Sequence, residues 1–527
     1  MAIETAPVKP LDTLAEVIRH HGEHRPDSSA MRFEGRCHTY GEWDQASNRI
    51  AQALLAEGVV QAERIGFLAH NTPEYFPLLF GAAKINAVTL AVNWRLAAAE
   101  MEYILDHAEV GVLVIGPDFL GHLEQMNLPH LRKVVVIGSA DQAAGHETFD
   151  TWMNTHPATD PGIESTLDDV CYQLYTSGTT GLPKGVEVSN RALVQQMVNR
   201  CGVWQFDEDT VNLVCLPLFH IAGSGWAVAG LWCGADSVLL RDIDPAEMLK
   251  VIPAEGVTNA IMVPAVIQML LAVPGVETAD FSSFRNIVYG AAPITEDVLV
   301  RAIETFGCDF VAGYGLTEHA TATYLPSEDH DPGGPRAHLL RSVGKAVPEV
   351  EMKIVDTETM VEVPDGEVGE VWLRSPQVMT SYAGRDEDTA AAMPGDGWLR
   401  TGDAGYLEDG YLYLKDRVKD MIISGGENIY PAEVENALMP HPEIVDVAVI
   451  GVPDDKWGET VKAIVVAQPG TEPDPSEIIG FCRQRLAHFK CPTSVDFVEV
   501  LPRNPSGKVL KTELREPYWV GIDRRIH

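Results

Sequence analysis

Short apolar runs alternate with amphipathic stretches over the first two-thirds of the chain. RIGFLA (64–69), GVLVIG (111–116), KVVVIG (133–138), NLVCLPL (212–218), AIMVP (260–264) and NIVYGAA (286–292) are brief and rich in aliphatic residues, which predicts buried strands. Between them, DQASNRIAQALLAEG (44–58) sets Ile50, Ala53 and Leu54 at helical spacing, and Asn71-Thr72-Pro73-Glu74 reads as a helix start with a cap residue and an early proline. Strand and helix in alternation predict an α/β fold of parallel sheets covered by helices. The most apolar stretch, AIMVPAVIQMLLAVPGV (260–276), is interrupted by Pro264, Gln268 and Pro274 and is too short to span a bilayer. A buried strand followed by a helix is predicted there.

Near residue 350 the texture changes. EMKIV, EVGEVWLRS and YLYLKDR are short alternating segments separated by turns, which predict a small antiparallel β unit closing a large domain. From about 420, strand-like VDVAVIGV, KAIVVA and VDFVEVL mix with helical PAEVENALM and PSEIIGFCRQRLAHF, the pattern of a smaller α+β domain. A chain of 527 residues is too long for one hydrophobic core. The expected division is a large N-terminal domain, 1–417, and a small C-terminal domain, 418–527, with the boundary at Arg417–Lys419.

Charge narrows the functional classes. Against 39 basic residues stand 76 acidic ones, a net charge of −37, which excludes the basic footprint that nucleic acid requires. Any anionic ligand must then be held by local lysines, backbone N–H groups or a metal. The eight cysteines occur singly, with no CxxC pair and no His/Cys cluster of zinc spacing, so a reducing cytoplasm is the expected location. The N-terminus carries no charged-then-apolar signal pattern. The sequence leaves room for peripheral membrane contact and for a homodimer.

Against that acidic background, YTSGTTGLPKGVE (175–187) stands out. Small hydroxyls, three glycines and Lys184 follow the strand-like VCYQLYT, a composition that lets main-chain N–H groups close on a polyphosphate. The spacing is not that of a Walker loop, because Lys184 is followed by glycine rather than Ser or Thr. An ordinary flexible turn is the rival reading of the loop by itself. Further segments follow in order: LPLFHIAG (216–223), GAAP (290–293), GYGLTE (313–318), WLRTGD (398–403), DRVKDMIISGGENIYPAE (416–433) and PRNPSGKVLK (502–511).

This set resembles the motifs of the adenylate-forming enzymes: acyl-CoA synthetases, peptide-synthetase adenylation domains and beetle luciferases. The likeness spans nearly the whole chain and leans toward bacterial fatty-acid-type synthetases. It implies ATP-dependent activation of a carboxylic acid to an acyl-adenylate, then thioester formation with CoA, by a large domain and a mobile small one. By the resemblance, Thr176, Ser177, Gly178, Thr179, Thr180, Gly181 and Lys184 hold the terminal phosphates. Thr317 and Glu318 contact phosphate and Mg²⁺, with Thr176 and Glu318 as the metal-side pair. Tyr314, Gly315 and the backbone of Gly290, Ala291 and Ala292 enclose the adenine. Asp403 accepts the ribose hydroxyls and Arg417 adds a second contact. Ala312 departs from the family, where many members carry Asp, Asn or Gln, so a backbone carbonyl is expected to meet the adenine amino group.

Lys508 corresponds to the family's catalytic lysine, which bridges the substrate carboxylate and the α-phosphate. Lys419 stands at the hinge position, and Gly425, Gly426 and Glu427 at the pantetheine channel. His220 matches the gate of the acyl pocket, which Ser224, Trp226, Val263, Gly290 and Gly315 would line, with Met269 as further apolar surface and Gly223 and Gly225 leaving space. LFHIAGSGW contains no acid to bind an amino group, which disfavours a free amino acid. A hydrophobic acid is expected, fatty, alicyclic or aromatic. Loading of a carrier protein instead of CoA is the alternative. A non-catalytic nucleotide sensor should lack Glu318 or Lys508, and both are present.

Overall fold

The aliphatic runs become strands where their brevity and spacing predict: Arg64–Leu68, Val112–Ile115, Lys133–Val136, Val211–Val214, Asn259–Met262 and Asn286–Gly290. The computed structural model describes residues 11–176, 182–292, 294–425, 427–454, 456–503 and 509–520. They divide into two compact units. The first comprises the described residues to Glu351 together with Leu373–Leu399, and the second Met352–Trp372 with those from Arg400 onward. The small β unit therefore clusters with the C-terminal residues, and the Arg417–Lys419 junction lies inside the second unit.

The first unit contains a nine-stranded and an eight-stranded sheet. In the latter, Arg64–Leu68 lies parallel to Val88–Ala91 and Val112–Ile115, and Val88–Ala91 runs parallel to Val170–Thr176. Such strands are covered on both faces, which is why their sequences read as continuous apolar runs rather than alternating ones. Val112, Leu113, Val114 and Ile115 are all fully buried. One large apolar core includes Trp43, Phe76, Trp152 and Trp226. The parallel pattern ends in antiparallel hairpins: Val170–Thr176 with Lys184–Ser189 in one sheet, Asp309–Leu316 with Ala320–Leu325 in the other.

Local chemistry moves two expected helix boundaries. The helix expected over 44–58 runs Tyr40–Ala56, because Thr39 and Glu42 form a reciprocal capping box four residues earlier. The next begins at Tyr75 without a side-chain cap. Asn71 is occupied elsewhere: its amide donates to the carbonyls of Leu216 and Leu240, and its Oδ1 accepts from the Leu218 amide. The apolar 260–276 stretch is the strand Asn259–Met262 followed by the helix Pro264–Leu271, as expected. No helix among the described residues is long and apolar enough to cross a membrane.

The second unit carries a four-stranded sheet and a five-stranded sheet. Ile444–Asp454 and Gly458–Ala467 form a long antiparallel pair, and Ser494–Phe497 adds in parallel to the latter. Its core packs Val449, Val461, Ala463 and Val465 against Val434, Leu438 and Ile478 of the helices Pro431–Leu438 and Pro475–Arg483.

His21 makes the first unit's stability depend on pH. Burial, and the positive neighbours His20, Arg25 and His24, push its pKa down from 6.5 to about 4, although its ring bonds to the Trp232 carbonyl. The unfolded chain binds this proton below 6.5 while the folded chain refuses it until about 4. The neutral ring's contribution is therefore full above 6.5 and is lost as pH falls through that window. The slope approaches about 1.4 kcal/mol per pH unit. His21→Gln should flatten this slope between pH 6.5 and 4 in denaturant titrations; an unchanged slope would refute the assignment.

Candidate active site

Both candidate phosphate motifs of the first unit are placed by antiparallel hairpins. Thr176 pairs with Lys184 across the Val170–Thr176/Lys184–Ser189 ladder, so residues 177–183 are its connecting loop. Ser177, Gly178, Thr179, Thr180 and Gly181 lie outside the described residues, whereas Lys184 opens the strand Lys184–Ser189. In the second hairpin Leu316 faces Ala320, which puts Thr317 and Glu318 in the turn between them. That turn is tight: a Cβ on Gly315 would lie 1.8 Å from the Ala320 carbonyl oxygen, and Ala320 itself has φ +60°.

The segment Ser381–Tyr382 joins the two tips. It pairs antiparallel with Lys184–Ser189, with Tyr382 opposite Val186, and the Met379 amide donates to the Glu318 carbonyl at 2.8 Å. Tyr382 consequently serves both sides: its hydroxyl donates to Glu318 Oε1 at 2.8 Å, and Lys184 Nζ stands 5.0 Å from its ring centroid. Lys184 also donates to Asp388 Oδ1 at 2.7 Å. Its ammonium holds the Asp388 carboxyl below the ordinary carboxylate range. The result is one cation and one carboxylate on either side of a tyrosine, with a counter-ion that an incoming phosphate could replace. Neither Tyr382 nor Asp388 belongs to a motif legible in the sequence.

Among the described residues no cluster of three or more His, Cys, Asp or Glu could hold a metal. The metal-side candidates offer the Glu318 carboxylate, one oxygen of which Tyr382 occupies, and the Thr176 hydroxyl. Such a sparse set of oxygen donors fits Mg²⁺, which keeps waters and takes phosphate oxygens rather than a full protein cage.

The adenine candidates lie on adjacent parallel strands, Gly290 opposite Gly313. A Cβ on Gly290 would come within 2.1 Å of the Gly313 carbonyl oxygen, so this crossing admits only glycine. Ala291, at φ +64°, and Ala292 are exposed, while Tyr314 is buried. Ala312 is buried on the same strand, opposite Leu325.

On the acyl side the expectations are met unevenly. His220 caps the helix Ile221–Trp232, its Nδ1 accepting from the Ala222 amide at 3.2 Å, and is half-buried. Ser224 is fully buried and donates to the His220 carbonyl. Val263, half-buried, stands just before the helix Pro264–Leu271. Trp226 packs on Trp204 and Phe206 and donates to the Leu213 carbonyl, so its ring is committed to the core. Met269 is 47% exposed on its helix rather than apolar lining. The space expected beside Gly223 and Gly225 is taken up. A Cβ on Gly223 would lie 2.2 Å from the Pro217 carbonyl oxygen, and one on Gly225 2.3 Å from Arg200 Nη1.

In the second unit, Asp403 and Arg417 face each other across adjacent strands and form an ion pair of 2.8 Å. Thr401 Oγ1 accepts from the Asp403 amide and donates to the Val371 carbonyl, fixing the strand bend that carries Asp403. Just past Lys419, Asp420 is buried and paired with Arg515 at 2.7 Å. Gly425, at φ +61°, donates its amide to the Trp457 carbonyl, and a Cβ there would meet the indole at 2.6 Å. Trp457, half-exposed beside Gly425, was not foreseen in the sequence. Glu427 is exposed opposite Ser424, while Gly426 lies outside the described residues. Lys508 also lies outside them, but its flanks are anchored. Arg503 bridges Val509, the Leu510 amide donates to the Pro502 carbonyl, and Lys511 pairs with Glu435 at 2.9 Å.

Family models match two stretches of the chain: AMP-binding enzyme over residues 18–383, and AMP-binding enzyme C-terminal domain over 433–508. The chain is 39% identical over 526 residues to the fatty acid–[acyl-carrier-protein] ligase ScoC of Streptomyces coeruleorubidus, covering 98% of each. It is 37% identical to a feruloyl-CoA synthase of an Amycolatopsis species, covering 94% of this chain and 96% of the relative. Among solved structures, ATP-bound MatB from Rhodopseudomonas palustris superposes with a TM-score of 0.87 at 29% identity, over 96% of this chain and 99% of that one.

Proposed function

The chain belongs to the AMP-binding enzyme family of AMP-forming acid–thiol ligases, and on that footing we propose that it converts a hydrophobic carboxylic acid to its CoA thioester. The observation that carries this reading is Tyr382, with Lys184 against its ring and Glu318 on its hydroxyl. In the first half-reaction a carboxylate oxygen of the acid attacks the α-phosphorus of ATP, and pyrophosphate leaves. Lys184 exchanges Asp388 for the terminal phosphates. Backbone N–H groups of the 177–181 loop and the Thr176 hydroxyl supply further donors. Glu318 and the Thr176 hydroxyl would hold Mg²⁺, whose charge would offset that on the leaving pyrophosphate. Lys508 offsets the repulsion between carboxylate and α-phosphate, a task suited to a compact ammonium on a flexible stem. Asp403, steadied by Arg417, accepts the ribose hydroxyls.

In the second half-reaction the thiol attacks the acyl carbonyl and AMP leaves. We assign the pivot between the two steps to Lys419, where a short helical turn follows Arg417. Gly425, Gly426 and Glu427 would line the pantetheine channel, with Trp457 filling the Cβ side of Gly425. The eight cysteines are free thiols, which accords with work in a reducing cytoplasm. Similarity to ScoC keeps a carrier-borne pantetheine as the second reading of the acceptor, and similarity to the feruloyl enzyme keeps an aryl acid in view beside a fatty one.

The test is pyrophosphate release across fatty, alicyclic and aryl acids, with and without CoA, while free thiol is followed. Matching thiol loss for one group of acids is expected. Adenylate accumulation without thiol loss would overturn CoA as the acceptor. In the same assay Lys508→Ala should abolish adenylate formation yet spare thioesterification of a supplied acyl-adenylate, and Lys419→Pro should show the opposite split. Equal loss of both steps in either variant would contradict its assigned role.

A further inference from the structure

Asp388 divides its two carboxylate oxygens between two cations. Oδ1 accepts from Lys184 Nζ at 2.7 Å, and Oδ2 stands 3.4 Å from Arg385 Nη1. Both side chains of the first pair are partly buried, Lys184 being 12% exposed and Asp388 27%. The backbone fixes this placement. The helix carrying the carboxylate, Asp386–Ala392, is pinned through Thr389, whose Oγ1 accepts from the Tyr382 amide and donates to the Arg385 carbonyl. The Ala383 amide in turn donates to the Gly185 carbonyl, one residue past Lys184.

Arg385 is anchored independently of Asp388. Its Nη2 donates to the Tyr103 hydroxyl at 2.8 Å, and that hydroxyl donates at 3.2 Å to the carbonyl of Pro183, the residue before Lys184. Its Nε has no hydrogen-bond partner among the described residues, so the guanidinium keeps donor capacity in reserve. A carboxylate bonded to the lysine competes with any phosphate for it, and repels the phosphate that displaces it. Because Oδ2 already faces Arg385, Asp388 can give up Lys184 without becoming a lone, partly buried charge. The exchange needs a change of partner at one oxygen only.

Resting on the acyl-ligase reading above, we propose that Asp388 is a positioning residue that sets the enzyme's affinity for terminal phosphates. It occupies Lys184 until ATP arrives, is held by Arg385 while ATP is bound, and reclaims Lys184 as pyrophosphate departs. Both ligands bind more weakly than an unopposed lysine would allow, and the same competition opposes retention of pyrophosphate.

Titration of the whole protein with Mg²⁺ plus ATP, and with Mg²⁺ plus pyrophosphate, followed by calorimetry or thermal shift, reads this competition without any acid substrate. Asp388→Asn keeps an oxygen for the lysine but not the charge, and should bind both ligands roughly tenfold more tightly than the wild type. A purely structural role for Asp388 cannot produce a gain of affinity, so unchanged or weakened binding would overturn the proposal. Arg385→Met leaves Asp388 wholly to Lys184 and should shift both affinities in the opposite direction; unchanged binding there would also contradict it. In the Asp388→Asn background, Arg385→Met should add nothing, whereas a further loss would put Arg385 on the phosphates and overturn its role as the holder of Asp388. Tighter binding by Asp388→Asn, with no pyrophosphate release from any acid, would defeat the acyl-ligase reading and uphold the role of Asp388. A wild type that binds neither ligand would defeat both.

Discussion

A chain of net charge −37 that brings a carboxylate to a triphosphate has to concentrate positive charge and N–H donors at one spot. At physiological ionic strength the Debye length is about 8 Å, so groups within a few ångströms decide the energetics and the distant acidic surface counts for little. The first unit meets this demand by ending its parallel sheets in antiparallel hairpins. The carboxyl end of the parallel strand Asn286–Gly290 carries the adenine candidates, and the hairpins add projecting turns to it. A hairpin projects its turn, and the pairing of Thr176 with Lys184 and of Leu316 with Ala320 fixes which residues the turns contain. Ser381–Tyr382, hydrogen-bonded along the edge of one hairpin, then ties Lys184 to Glu318 through a single aromatic side chain.

The same logic explains what the sequence revealed and what it concealed. Buried parallel strands advertise themselves as unbroken aliphatic runs, so Val112–Ile115 and Asn286–Gly290 were legible. The stretch 177–181 stood out as a candidate phosphate loop because of its density of glycine, serine and threonine, and it lies outside the described residues. Tyr382 and Asp388 were not, because they come from a segment some 200 residues beyond Lys184 whose pairing with it is set by tertiary register. Asn71 shows the same limit in reverse: its local signal was a helix cap, but three long-range backbone hydrogen bonds claimed the side chain. The small β unit was recognised as antiparallel in texture, yet its grouping with the C-terminal residues depends on packing that no local pattern encodes.

Glycine was the least decipherable residue type at the acyl side. In the sequence, Gly223 and Gly225 read as open space. In the fold they are points of closest approach, one to the Pro217 carbonyl and the other to the Arg200 guanidinium. A glycine says that something comes near, not what.

The central claim is that adenylation of a carboxylate is the chemistry of the site, before any thiol is involved. Exchange of labelled pyrophosphate into ATP, measured without CoA or carrier protein and with an acid the enzyme accepts, tests this most directly. Label should enter ATP only when acid, ATP and Mg²⁺ are all present, because reversal of acyl-adenylate formation is the sole route back to ATP. No exchange with any acid, or release of ADP and phosphate in place of AMP and pyrophosphate, would contradict the account.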